Sequence, residues 1–365
     1  VKYNNFEGFR FGAGAVTNSK LSEKYKVAFY GAYGLKDNEF KYGITPSYLA
    51  HKSSETWVSA SYTDDISEIA QTNFVTDSRR FKIYDPRRIN ISTFYNNRMS
   101  SVFVESKFLP KTTSYFGVSH NQIQPLFDYT FVNDEKSYTN YNITAVQLAF
   151  QWNPFSNYMQ TPIGKIEYEK RHPKFSLQLT QTLPGVLEND FAFSKIDFKT
   201  FYELPYLSGQ KSSVLLQTGI AFGDVPITHL YSIVPNNLNR EAILQRVTFA
   251  GKNSFETMYF NEFFSNQYAS LQLKHTFNKI RLGYKINPEF TIVTRMAVGY
   301  DNHNNQHLGI TYKTMEDGFF ESGVECNKIY KGIGLVAFYR YGPYQLANFD
   351  DNIAVKISYH LDLGL

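Results

Sequence analysis

The run IAVKISYHLD, residues 353–362, decides the fold class. Ile353, Val355, Ile357, Tyr359 and Leu361 alternate there with Ala354, Lys356, Ser358, His360 and Asp362. Successive side chains of an extended strand point to opposite faces, so this run specifies a strand with one apolar and one polar face. The same period recurs along the chain. In 25–35, Tyr25, Val27, Phe29, Gly31, Tyr33 and Leu35 oppose Lys24, Lys26, Ala28 and Tyr30. Residues 146–152, 175–183 and 290–300 repeat the pattern; Phe290, Ile292, Met296, Val298 and Tyr300 face away from Thr291, Arg295 and Gly299. Further runs lie near 9–16, 40–50, 56–62, 99–109, 112–120, 163–169, 191–204, 212–222, 256–263, 267–277, 306–313, 318–327 and 333–341, eighteen in all. Turn signals such as Lys36-Asp37-Asn38 and Ser208-Gly209-Gln210 separate them. The best helical window, 236–246, sits inside a long connection.

A chain of 365 residues suits either two or three soluble domains or one large all-β unit. With 32 Phe, 28 Tyr and 2 Trp it is too aromatic for disorder. No stretch reaches the ~18 consecutive apolar residues of a spanning helix. The 37 basic residues are scattered among 33 acidic ones, so no stripe for nucleic acid forms. Cys326 is alone, which excludes an internal disulfide; the reading is a small buried or lipid-facing filler. The sequence begins at Val1 without Met or an apolar leader, and Val1 is expected to follow a processing or truncation point.

Run length favours a barrel over a sandwich. Sandwich strands have about five or six residues, whereas tilted membrane strands need ~9–11, and many runs here reach ten. Sixteen strands leave about 23 residues for each strand with its connection, enough for short turns alternating with long loops. Two connections stand out: 63–97, with Asp64, Asp65, Arg79, Arg80, Arg87 and Arg88, and 223–255, with Pro226, Pro235 and Arg246. Aromatic residues at run ends, such as Phe150 and Trp152, suggest interfacial girdles. Lys195, Asp197 and Lys199 share one strand face opposite Ile196 and Phe198. A hydrated interior tolerates such charges and a packed core does not. The expected fold is all-β, a transmembrane antiparallel β-barrel of about 16 strands, forming a single domain over 1–365. It is expected to close by pairing a strand near 9–16 with one near 353–362. Arg10, Gly12 and Gly14, with Ile353, Val355 and Ile357, are the candidate seam. Gly12 and Gly14 fall on the inward face, where small residues let a strand bend or a loop approach. Lys195, Asp197, Lys199, Arg295, Glu321 and Glu325 form the candidate lumen network.

Residues 7–43, EGFRFGAGAVTNSKLSEKYKVAFYGAYGLKDNEFKYG, resemble the opening strands of a Bacteroidota outer-membrane barrel family of unknown function that carries an upstream carboxypeptidase-like regulatory domain. NEFFSNQYASLQLKHTF, 261–277, and GFFESGVECNKIYKGIGLVAFYRY, 318–341, resemble that family's late strands. The resemblance implies a barrel similar to the Omp85 superfamily, whose members insert or translocate outer-membrane proteins. Omp85 proteins carry an Arg-Gly-aromatic motif on a loop in the lumen. The corresponding AGKNSFETMYFNEF, 250–263, has no Arg-Gly pair.

Other groupings read as structural. His303 and His307 have helix-face ligand spacing, but their surroundings mark a solvated hairpin turn. Asp64, Asp65 and Glu68 lack the interleaved spacing and Gly of a calcium loop. Ser119, His120 and Asn121 are the nearest grouping to a lipid-hydrolase triad, yet neighbours on a strand point to opposite faces. Glu321 and Glu325 share a face and are expected to pair with Arg295 or Arg340. The functional expectation is a non-enzymatic outer-membrane barrel without cofactor or metal. Its expected partners are outer-membrane lipids and other outer-membrane or periplasmic proteins, with no nucleic acid, in protein assembly or envelope biogenesis. The alternatives are a diffusion channel for small polar solutes, a lipid hydrolase and a soluble carbohydrate-binding β protein. Residues 223–255 are the candidate plug.

Overall fold

The computed structural model describes residues 2–77, 86–91, 93–133, 136–161, 164–283 and 286–359. Sixteen strands form one antiparallel sheet, each paired with its neighbours in chain order. They are β1 (Lys2–Asn4), β2 (Gly8–Val16), β3 (Tyr25–Gly34), β4 (Phe40–His51), β5 (Thr56–Glu68), β6 (Phe94–Ser106), β7 (Thr112–Pro125) and β8 (Tyr141–Trp152). Then come β9 (Lys174–Thr182), β10 (Phe193–Pro205), β11 (Lys211–Gly223), β12 (Gln267–Thr276), β13 (Glu289–Tyr300), β14 (Met315–Tyr330), β15 (Ile333–Tyr341) and β16 (Ile353–Tyr359).

Period two sets the burial. On β13, Thr291, Val293, Arg295 and Ala297 are buried, while Ile292, Val298 and Tyr300 are exposed. On β16, Ala354, Lys356 and Ser358 are buried, whereas Val355 and Tyr359 are exposed. The sheet therefore buries its polar face and exposes its apolar one. Phe9, Ile44, Phe116, Ile292 and Leu335 each keep about half of their surface exposed, and Val102 keeps 58%. A sandwich would cover such side chains with a second sheet.

Successive antiparallel strands put their connections at alternate ends. Connections of 69–93, 126–140, 183–192, 224–266, 301–314 and 342–352 all leave one end. The other end has turns such as 52–55, 107–111, 206–210 and 331–332. The long connections fold back over the polar face. Their Ile69, Tyr129, Phe131, Ile227, Leu230, Phe255 and Phe264 form the main hydrophobic core with Tyr141, Ile143 and Phe193 of the sheet.

Fifteen of the eighteen alternating runs are strands of the sheet; three belong to small satellites. The run at 163–169 becomes Gly164–Glu169 in a hairpin with Asn157–Thr161. That at 256–263 becomes Phe255–Tyr259, parallel to Pro235–Asn237, and that at 306–313 only His307–Leu308, beside Thr130–Asn133. Alternation cannot tell a spanning strand from a short folded-back one. β1 is too short for any period to reveal it. The helical window 236–246 is not an α-helix: Pro235–Asn237 is extended and Ile243–Arg246 a single 3-10 turn. Asp64 and Asp65 lie within β5 rather than in a connection. Arg79, Arg80, His360, Leu361 and Asp362 lie outside the described residues.

Pairing between residues 9–16 and 353–362 is not made among the described residues. β1 pairs with Gly8, Phe9 and Arg10 instead, and the backbone of Ile357 bonds to Thr248 and Ala250 of the long connection before β12.

Candidate functional site: a loop locked onto the polar face

Strands β12 to β16 place Arg295, Glu321, Arg340 and Lys356 at buried positions and Lys274 and Glu325 at half-buried ones, and the 224–266 connection docks on them. Glu321 is its anchor. One carboxylate oxygen accepts from the Glu256 amide at 3.1 Å and Arg295 Nη1 at 2.7 Å. The other accepts from the Thr257 amide at 2.9 Å and the Thr257 hydroxyl at 2.7 Å. Arg295 also lies 3.6 Å from Glu325, which Lys274 approaches to 3.2 Å. The Arg295 guanidinium stacks over Phe338, 4.4 Å from the ring centre.

Two further pairs fix the loop. Lys356 on β16 meets Glu256 at 3.2 Å and donates to the Asn236 carbonyl. Glu256 also accepts from Ser254 Oγ at 2.7 Å, the Gly251 amide at 3.1 Å and Asn236 Nδ2 at 2.8 Å. Arg340 on β15 grips Glu262 in a two-pronged pair of 3.0 and 2.8 Å, a geometry that planar guanidinium favours. Four cations, Lys274, Arg295, Arg340 and Lys356, thus answer four carboxylates, Glu256, Glu262, Glu321 and Glu325. Glu321 and Lys356 are wholly buried. Charges this deep persist only when paired and hydrogen-bonded.

The expected lumen network separates into two. Arg295 lies against both Glu321 and Glu325, whereas Arg340 is bound to Glu262 and not to either of them. Lys195, Asp197 and Lys199 form a distinct group on β10, because the strands between turn the two sets toward different parts of the polar face. Lys195 donates to the His229 carbonyl at 2.8 Å and lies 4.1 Å over the Tyr231 ring. Asp197 is buried beside a polar cavity of about 170 Å³ that Gln147, Gln178 and Thr180 also line. Lys199 pairs with Asp77.

The seam residues are held separately. Arg10 clamps Asp65 at 2.7 and 2.8 Å, and Asp65 accepts from the Tyr30 hydroxyl at 2.8 Å. Gly12 and Gly14 let β2 lie close against β3. A Cβ at Gly12 would fall 2.8 Å from the Cβ of Ala32, and one at Gly14 2.9 Å from that of Tyr30. The calcium candidates are each taken by arginine: Asp64 by Arg98, Asp65 by Arg10 and Glu68 by Arg87. His120 bonds Thr144 at 2.9 Å, while Ser119 is bonded by Asn121 at 3.1 Å, so no triad assembles. His307 is not in a solvated turn. It is buried against Phe131 and Tyr312, and its Nδ1 lies 2.9 Å from the Tyr129 hydroxyl. Burial holds its pKa down at about 4, against the pull of Asp301.

Glu256, Glu262, Lys274 and Lys356 were missed by motif reading. Their signal was present for two: Lys274 and Lys356 are lone charges at inward positions of alternating strands. Glu256 and Glu262 fall in the 256–263 run, whose period gives no sign that they dock on the wall.

The chain resembles a solved structure, BamA from Haemophilus ducreyi lacking POTRA domains 1–3, with a TM-score of 0.58 and 12% identity. The likeness covers 96% of this chain and 66% of that one, and it establishes a shared large β fold. No curated protein matches. The C-terminal domain model of the family of unknown function DUF5686 matches residues 1–287. A match over most of the sequence, with the sixteen-stranded fold above, makes this chain a member of the DUF5686 C-terminal domain family.

Proposed function

We propose that this chain is a non-enzymatic β-barrel domain of the bacterial outer membrane, Omp85-like in plan. It acts within a complex for outer-membrane protein assembly or envelope biogenesis. One observation carries the membrane reading: the side chains exposed at alternate positions of the sheet are apolar, from Phe9 and Phe11 on β2 to Leu335 on β15 and Val355 on β16. A contiguous apolar surface of that extent is a liability in water and a requirement in acyl chains. Aromatic side chains near strand ends, including Trp152 stacked on Phe175 at 5.5 Å and Tyr25 beside Tyr48 at 5.3 Å, suit headgroup depth. The locked 224–266 loop favours the assembly-type barrel over a free diffusion channel, because it fills space that a channel leaves to solute. Partners are outer-membrane lipids and other outer-membrane or periplasmic proteins.

The test is fractionation followed by mild-detergent purification of the full protein. Recovery from the outer membrane with envelope proteins attached, and little conductance in planar bilayers, is the expected result. A chain that stays in solution without detergent refutes the membrane reading. One that purifies alone and conducts freely replaces the assembly role by a channel.

A further inference from the structure

Charge divides the two ends of the sheet. The seven connections at the end with the short turns, 17–24, 52–55, 107–111, 153–173, 206–210, 277–288 and 331–332, hold twelve Lys and Arg against four Asp and Glu. The eight at the opposite end, 5–7, 35–39, 69–93, 126–140, 183–192, 224–266, 301–314 and 342–352, hold eleven against seventeen. The chain as a whole carries only +4, so the sign follows position and not composition. At the turn end many of the cations are free. Lys20, Lys24, Lys170, Lys279, Arg281 and Lys331 are exposed, and none forms an ion pair among the described residues.

Apolar tips accompany them. Phe108 is 62% exposed, Leu282 68% and Leu21 74%, and Leu207 is fully exposed. Between β12 and β13 the chain continues as a hairpin arm. The Ile280 N–H donates there to the Pro288 carbonyl at 3.0 Å and the Leu282 N–H to the Ile286 carbonyl at 3.1 Å. Alternation along the arm separates exposed Ile280 and Leu282 from exposed Lys279 and Arg281. The aromatic pairs of Tyr25 with Tyr48 and Trp152 with Phe175 stand at this same end of their strands. Passing outward, the order is apolar wall, aromatic ring, then cations mixed with apolar tips. Lys and Arg at that depth lay their apolar stems along acyl chains and lift the charge to the headgroups. The free cations recur from the turn between β2 and β3 to the turn between β14 and β15. A protein docked on one side meets a few of them, whereas a lipid leaflet meets them all.

Resting on the membrane-barrel reading, we propose that the turn end is a binding surface for anionic glycerophospholipids. Their negative headgroups neutralise these six cations, while Leu21, Phe108, Leu207 and Leu282 enter the boundary between headgroups and acyl chains. Short turns of outer-membrane barrels face the periplasm, which assigns the surface to the periplasmic leaflet. The acidic connections of the other end gain nothing from such a leaflet, so the same charge difference favours one orientation of the barrel.

The test uses the full protein in vesicles of phosphatidylcholine and phosphatidylglycerol, with one lipid brominated at a time, so that tryptophan quenching reports which lipid lies beside each reporter. Both natural tryptophans stand at the turn end of their strands. Trp57→Phe leaves Trp152, which is 49% exposed. Leu282→Trp, with both natural tryptophans changed to Phe, samples the hairpin arm. Tyr300→Trp in that background, exposed on β13 at the loop end, is the control. At low salt both turn-end reporters should favour brominated phosphatidylglycerol by about threefold or more, as expected for a headgroup held by one or two cations, and the control should favour neither lipid. Lys170→Gln should lower the preference at Trp152, and Lys279→Gln with Arg281→Gln should remove it at Leu282→Trp. Salt of about 1 M, where the Debye length is ~3 Å, should remove it at both. Equal quenching by the two lipids at either turn-end reporter overturns the proposal and leaves the cations to an acidic protein. A preference that survives the Gln substitutions overturns it as well. No quenching by either lipid at any reporter, the control included, is a separate failure: it removes the membrane reading itself.

Discussion

Removing the Glu321 carboxylate is the severest single perturbation of the locked loop. Glu321→Ala strips acceptors from Arg295 Nη1, two backbone amides and the Thr257 hydroxyl. Among the described residues Arg295 then keeps one carboxylate, Glu325, at 3.6 Å, beside its stacking on Phe338. Breaking a buried ion pair by deleting one partner costs about 3–5 kcal/mol, and each orphaned amide adds about 1–3 kcal/mol unless it moves to water. Undocking relieves both penalties, so the loop should open instead of enduring them. A destabilisation of about 3 kcal/mol raises the open population roughly a hundredfold. Limited trypsin digestion reads this directly, because Arg246 is buried in the docked loop by Tyr259 and the Asp350 carbonyl. Cleavage after Arg246 should rise by about two orders of magnitude when opening is fast relative to cutting. Glu321→Gln keeps a carbonyl acceptor and should fall between parent and Ala. Pairing Glu321→Ala with Arg295→Met should recover part of the loss, since no unpaired cation remains. Cleavage of Glu321→Ala within twofold of the parent refutes the claim that this carboxylate holds the loop.

Three other outcomes are expected. Val102→Arg places a charge on the exposed apolar face at a cost of about 2–4 kcal/mol near a bilayer midplane; it should reduce membrane assembly, and normal assembly contradicts lipid contact at β6. Gly12→Val should destabilise the sheet by at least about 1 kcal/mol, because even its Cβ collides with Ala32; an unchanged melting temperature shows that β2 needs no glycine there. His307, in the 301–314 connection, has a folded pKa of about 4, below its ordinary ~6.5. The unfolded state then binds more protons between those values, so its contribution is complete above about pH 6.5 and is lost as pH falls toward 4. His307→Gln should flatten that part of the melting profile, and an identical slope removes His307 as its source.

The fold was legible wherever a strand was long enough to show its period. β13 and β16 carry five or more alternations each, and their faces follow residue by residue. The misreadings share a cause: alternation reports extension, not destination. Phe255–Tyr259 is extended like a wall strand but lies within the docked loop, buried on both faces, where Thr257 and Glu256 approach Glu321. The lock was half legible, because its wall members stand out as inward charges on apolar-alternating strands. The loop members, Glu256 and Glu262, fall in a run that reads as one more wall strand, so nothing local marks them as partners of the wall. Only the folded chain brings Glu262 to Arg340, 78 residues away.

Lys356 and Ile357 show why the lock and the edge of β16 act as one device. Adjacent strand residues turn opposite ways, so Lys356 sends its ammonium to Glu256 on the polar face. The backbone of Ile357 meanwhile addresses the strand edge and holds Thr248 and Ala250. Both contacts lead into the same loop within a few residues. A force that lifts the loop from Lys356 therefore also draws Thr248–Ala250 from Ile357. That coupling needs no distant relay, only the one-residue step that alternates the faces of every strand. It also gives Lys356→Met a distinct expected signature: faster exchange at the Ile357 amide, although that substitution leaves the backbone hydrogen-bonding groups of Ile357 untouched.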